Sequence, residues 1–262
     1  MGVDGWYLLP GLVMAAAGLV LGWFVPRLIA RIPETVPEEQ ELDADLAVPT
    51  VDGGGAAVVE GGVDATAEDP KELYVDIAAT PGLAWRSAAA SGLVLGVVAA
   101  VVGWDAVLLP ATYLVPVGVA LAVVDWRTRL LPTKVIAPSY VVLVALVLLA
   151  GAVSGDWDSL LRAGWGWLIA GATFFVLWFV HPRGMGYGDV RLSGLLGMSL
   201  GYLGWGELVV GLYSAFLLGG VGGLLLSALR IVDRKAYPFG PFMLVGAVVG
   251  VLLGPAVAAW YE

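Results

Sequence analysis

The chain has 262 residues, 60% of them hydrophobic and 13% charged, with a formal net charge of −9 and a mean hydropathy of +0.90. That composition excludes a soluble globular domain, and the acidic balance argues against a nucleic-acid partner. Zero Cys removes disulfides, thiolate zinc sites and a thiol nucleophile, and a single His, His181, precludes a histidine-rich metal centre, so hydrolytic chemistry has to rest mainly on carboxylates.

Eight apolar runs are long enough to be read as crossings of roughly 30 Å of hydrocarbon. They cover residues 6–30, 87–103, 106–124, 135–153, 160–180, 190–205, 208–229 and 240–259. The expected fold is therefore all-α, a polytopic membrane bundle of about eight transmembrane helices. The first run has Asp4 where a signal peptide carries positive charge and is too long for one, so it is expected to persist as a helix. The sixth run is short and carries Gly194, Gly197, Gly201 and Gly204, which suits a helix inside the bundle.

Basic residues stay preferentially on the cytoplasmic side during insertion. With both termini external, twelve of the 13 Lys and Arg fall inside and only Arg162 falls outside. The expected location is a multi-pass protein of the inner or plasma membrane.

Three regions follow: a first transmembrane helix at 1–30, a loop at 31–86 and a seven-helix core at 87–262. Residues 31–85 hold thirteen of the chain's 22 Asp and Glu, five prolines and the run Gly53, Gly54, Gly55. Low hydrophobicity with high charge is expected to give an acidic flexible cytoplasmic loop, with room for a short helix near residues 70–79. The pentapeptide Gly-Leu-Val-Leu-Gly stands at 18–22 and again at 92–96, and Gly-x-x-x-Gly spacing recurs at 219–223 and 246–254. Such spacing leaves a flat helix face for close packing.

Ionisable groups are costly at membrane depth, so each one abutting a span needs a reason. Asp125 closes the third span in Ala-Val-Val-Asp-Trp-Arg-Thr-Arg-Leu-Leu-Pro, and Asp189 opens the sixth in Gly-Met-Gly-Tyr-Gly-Asp-Val-Arg-Leu. The topology sets both at one face. Gly184, Gly186 and Gly188 bare the backbone before Asp189, which lets an extended peptide lie close. The plainer readings are an N-cap role for Asp189 and an ion pair of Asp125 with Arg127 or Arg129. If the two meet, one carboxylate can activate water while the other protonates a carbonyl. Helix dipoles then favour Asp189 as the base and Asp125 as the acid. Further along, Pro238, Gly240 and Pro241 interrupt helical hydrogen bonding before the last span, where freed backbone groups can pair with an extended substrate or simply start a helix. Phe239 and Phe242 suit interfacial anchoring, and His181 beside Pro182 reads as structural.

The Asp125 segment ending in Leu131 and Pro132, the stretch Gly186-Tyr187-Gly188-Asp189-Val190-Arg191-Leu192, and Tyr237-Pro238-Phe239-Gly240-Pro241-Phe242 together resemble the three signatures of type IV prepilin peptidases. These are Gly-x-Gly-Asp aspartyl proteases. The resemblance runs from about residue 106 to the C-terminus. It implies cleavage of class III signal peptides after a Gly on the cytoplasmic side, with Asp125 and Asp189 as the catalytic pair, Gly186, Gly188, Pro238, Gly240 and Pro241 supporting the motifs, and prepilin or pseudopilin leader peptides as partners within a lipid bilayer. Many bacterial members carry paired Cys-x-x-Cys motifs that bind zinc, and also methylate the new N-terminus. This chain has no Cys, so no metal or other cofactor is expected, and the N-methyltransferase activity, with its S-adenosylmethionine, is in doubt. Tyr237 and Arg191 are mild departures.

Two other readings compete. A presenilin-like intramembrane protease would show Tyr before its first Asp, where Val124 stands, and Pro-Ala-Leu-Pro in place of Pro-Phe-Gly-Pro-Phe. A small proton- or cation-coupled transporter would place its carboxylates near the midplane on broken helices, not at one face.

Overall fold

Lipid offers helices no hydrophobic reason to associate, so the bundle must be assembled by close packing of small residues and by hydrogen bonds. The computed structural model describes residues 7–34, 72–180, 185–229 and 238–261. Among them are ten helices and no strand: α1 (Leu8–Trp23), α2 (Val25–Ala30), α3 (Tyr74–Ala78), α4 (Leu83–Val102), α5 (Leu108–Thr128), α6 (Thr133–Ser154), α7 (Trp157–Val180), α8 (Tyr187–Leu203), α9 (Trp205–Ala228) and α10 (Gly240–Tyr261). Helices α1 and α2 form one span, broken at Phe24 just before Pro26, whose ring and missing N–H explain the kink.

Seven helical segments among the described residues have the length and hydropathy to cross a bilayer. The remaining expected span is α8, which has 17 residues, 12 of them buried. At about 1.5 Å per residue it is shorter than the hydrocarbon core is thick. It is enclosed by α6, α7, α9 and α10, as its glycine content suggested.

The helices pair most closely as α1 with α4, α7 with α8, and α9 with α10. Each seam is lined by small residues. The two copies of Gly-Leu-Val-Leu-Gly lie on one seam and meet at their first glycines: a Cβ on Gly18 would stand 2.8 Å from the Gly92 Cα, while one on Gly22 would stand 2.7 Å from the Ala88 Cα. Between α9 and α10, a Cβ on Gly250 would lie 2.8 Å from the Gly211 Cα. Gly166 meets the backbone of Gly197 and Gly201 across the α7–α8 seam, closer than any side chain allows. The core between the seams contains Leu121, Ile136, Leu143, Phe174, Leu192 and Leu195, none of them exposed.

Exposed aromatics gather at both ends of the bundle. Trp23, Phe24, Trp85, Trp126 and Tyr187 mark one end, while Trp104, Trp157, Trp205 and Trp260 mark the other. Two such girdles are what a protein bounded by two water–lipid interfaces presents. The chain is a multi-pass membrane protein of all-α class.

Two expectations change. The helix after the acidic loop starts at Leu83 instead of 87, and the segment before it is packed: Tyr74 and Ile77 are buried in a cluster with Val25, Ile29 and Val124. The Tyr74 N–H donates to Glu34 Oε1 at 2.7 Å. Loop residues 35–71 lie outside the described residues, as do His181 and Tyr237.

Candidate active site

Asp125 occupies the last turn of α5 and is 4% exposed. The helix ends because Arg129 turns into the left-handed region, φ 57°, while its N–H still reaches the Asp125 carbonyl at 2.8 Å. The alternative of an ion pair with Arg127 is not seen: Arg127 holds Glu72 through two guanidinium nitrogens. Asp125 Oδ2 instead accepts the backbone N–H of Gly240 at 2.9 Å.

Asp189 is the third residue of α8 and is 7% exposed. It is not the N-cap. Gly186 holds that position in an extended conformation, φ −71° and ψ 143°, and its carbonyl accepts the Asp189 N–H at 3.0 Å. The Asp189 carboxylate lies over this residue, where a Cβ on Gly186 would stand 3.5 Å from Oδ2. Leu131 packs against Gly188, the neighbour of Asp189, and lies beside Gly240, whose N–H serves Asp125. Two residues 64 positions apart in sequence thus form one buried acidic pair.

The supporting positions converge there too. Gly188 approaches Leu131 so closely that a Cβ at 188 would lie 2.7 Å from the Leu131 Cβ. A Cβ on Gly240 would lie 2.8 Å from Asp125 Oδ2. Pro238 is buried, and Pro241 is the second residue of α10, so the Pro-Phe-Gly-Pro-Phe run starts a helix whose first N–H serves Asp125. Phe239 does not anchor at an interface: its ring meets Phe174 and Phe216, centroids 6.0 and 6.1 Å away, and Phe174 is fully buried. That aromatic cluster fixes the residue before Gly240.

Three contributors were missed from sequence. The Tyr140 hydroxyl donates to the Arg191 carbonyl at 2.6 Å and ties α6 to the first turns of α8. The Arg191 guanidinium stacks over Tyr187 at 4.6 Å and donates to the Thr133 hydroxyl. At the opposite end, Arg162 donates to the carbonyls of Gly201, Tyr202 and Leu203. Arg162, the exception to the charge rule, is therefore the cap that satisfies the last carbonyls of α8. Apart from Tyr187, one helical turn before Arg191, none of these partners lies near its counterpart in sequence, so no local pattern signals them.

Fold and site together define a polytopic α-helical membrane protein with a buried carboxylate pair at one end of its bundle. Residues 112–227, which include both aspartates, match the type IV leader peptidase family. It is similar to the prepilin leader peptidase/N-methyltransferase of Aeromonas salmonicida, 33% identical over 99 residues, which are 34% of this chain and 33% of that protein. The Aeromonas hydrophila protein of the same name is 33% identical over 116 residues, 44% of this chain and 39% of its own length. That of Pseudomonas aeruginosa is 29% identical over 129 residues, 46% and 43% of the two chains. The chain thus spans about a third to two-fifths of the length of these curated relatives. No solved structure gives a significant match.

Proposed function

We propose that this protein is a membrane aspartyl endopeptidase that removes the leader peptide from prepilin-like substrates at the cytoplasmic membrane face. The observation that carries the reading is the convergence of Asp125 and Asp189, buried and within electrostatic reach of each other. Like charges at short range do not both ionise comfortably, so the pair holds one proton between them. One carboxylate takes a proton from a water molecule that attacks the peptide carbonyl carbon, while the other gives its proton to the carbonyl oxygen. The tetrahedral diol then collapses, the C–N bond breaks, and a proton passes to the leaving amine.

Opposite helix dipoles assign Asp189 as base and Asp125 as acid. The Gly240 N–H donates to Asp125 and stabilises its anion, which opposes the asymmetry. The two therefore act as one titrating unit.

The cytoplasmic side is supported by charge. Arg27, Arg86, Arg127, Arg129, Lys134 and Arg191 all fall at the end of the bundle that holds the pair. No zinc or other cofactor enters this hydrolysis. Incubating the purified chain in lipid with a synthetic leader-bearing prepilin peptide, followed by mass spectrometry, tests the reading. A single cut after a Gly at the leader boundary is expected, and an intact peptide would refute it. The same spectrum shows whether the product gains a methyl group.

A further inference from the structure

The helices that carry the two aspartates make little direct contact. Helix α5 packs against α4, α6 and α10, and α8 packs against α6, α7, α9 and α10. Two mutually repelling carboxylates on helices that hardly touch need a third element to fix their spacing. The connection between α5 and α6 is built for rigidity. The Thr128 hydroxyl donates to the Val124 carbonyl at 2.8 Å, the Leu130 N–H reaches Thr128 Oγ1 at 3.3 Å, and buried Pro132 caps α6.

Leu131 sits at the centre of this connection. Its Cβ lies against the backbone of Gly188, the residue before Asp189, leaving no room for a side chain there. A Cβ placed on Gly240, the residue that donates to Asp125, would lie 3.5 Å from Leu131 Cδ2. One side chain thus touches the backbone flanking one aspartate and the backbone donor of the other. We propose that Leu131 is a positioning residue that sets the separation of Asp125 and Asp189. The inference rests on the reading of that pair as the reacting groups.

The absence of Cys makes the spacing directly measurable. In the full chain in lipid nanodiscs, the double variant Asp125→Cys/Asp189→Cys reacts with a short bifunctional thiol reagent, and cross-linking is followed by mass spectrometry without any need for catalysis. Efficient cross-linking is expected with Leu131 in place. A severalfold loss is expected on adding Leu131→Ala, with recovery for Leu131→Met, which keeps the unbranched Cβ and the reach towards Gly240. In the chain with both aspartates, Leu131→Ala should lower kcat between about tenfold and a hundredfold at unchanged KM, since small misplacements of reacting groups have effects of that order.

A compensating pair guards against a fold that merely fails. Gly188→Ala pushes against the Leu131 Cβ and should impair cross-linking, and Leu131→Gly/Gly188→Ala, which removes that Cβ, should restore part of it. Unchanged cross-linking in Leu131→Ala, or no relief in the compensated variant, overturns the role of Leu131 and leaves the peptidase reading standing. No cross-linking even with Leu131 intact overturns both. Leu131-dependent cross-linking in a chain that cuts no leader peptide removes the peptidase reading alone.

Discussion

The backbone N–H of Gly240 donates to Asp125 Oδ2 at 2.9 Å, joining the entry of the last helix to the end of α5 across 115 residues of sequence. Glycine is required at 240 because a Cβ would stand 2.8 Å from that same oxygen and 3.3 Å from the carboxylate carbon. Gly240→Ala keeps the N–H and displaces the carboxylate. It is expected to lower leader cleavage by about a hundredfold with little change in helical circular dichroism, and activity within twofold of the parent would show that the contact does not matter to the reaction.

Asp125→Asn and Asp189→Asn should each lower cleavage by at least about a thousandfold, the upper part of the range for losing a general acid or base. Because the two act as one unit, the double variant should be little worse than either single one. Additive losses in a steady-state comparison would contradict a shared proton.

For the same reason the rate of cleavage should follow a two-limbed pH profile. On the acid side a second proton joins the pair and no base remains, while on the alkaline side the shared proton is lost and no acid remains. A flat profile across both limbs, measured as kcat/KM, counts against the pair.

Gly164 and Gly166 are two residues apart on α7 and should behave oppositely. A Cβ at 164 meets nothing within 4 Å, whereas one at 166 collides with the backbone of Gly197. Gly164→Ala should leave the melting temperature in nanodiscs nearly unchanged, with at most a gain of roughly 1 kcal/mol from improved helix propensity. Gly166→Ala should lower it sharply, by an overpacking cost of about 1–3 kcal/mol or more. Equal effects of the two would show that the α7–α8 seam is looser than described.

Arg162 satisfies three carbonyls at the end of α8, far from the aspartates. Arg162→Met should therefore destabilise the bundle by about 1–3 kcal/mol, through carbonyls left without partners. At a temperature where the variant remains folded, cleavage should stay within about threefold of the parent. A selective loss of kcat without loss of stability would assign Arg162 a role in the chemistry that the structure gives it no means to play.

Much of the site was legible in the sequence because each carboxylate announces itself locally. An Asp abutting an apolar run has no cheap explanation at membrane depth, and the glycines before Asp189 and the prolines around Gly240 mark special backbone whatever lies opposite. The paired Gly-Leu-Val-Leu-Gly segments were likewise visible as flat faces, though only the structure shows that they share one seam and meet at Gly18 and Gly92. Phe239 was misread because an aromatic at a span's entry looks the same in sequence whether it turns to the interface or to Phe174 and Phe216. The plainer alternative for Asp125, an ion pair with Arg127, fails because Arg127 holds Glu72, 55 residues away in sequence, which no local pattern signals.

What came from the sequence by itself was the apolar segments, the charge asymmetry of their ends and the two acidic residues that abut them, since hydropathy and the cost of buried charge act residue by residue. Tertiary structure alone decided that both aspartates are buried at one end of the bundle, that Gly240 donates to Asp125, and that Leu131 lies against Gly188 and beside Gly240. Those outcomes depend on which faces approach within a few tenths of an ångström, a property of backbones packed together and not of any segment taken alone.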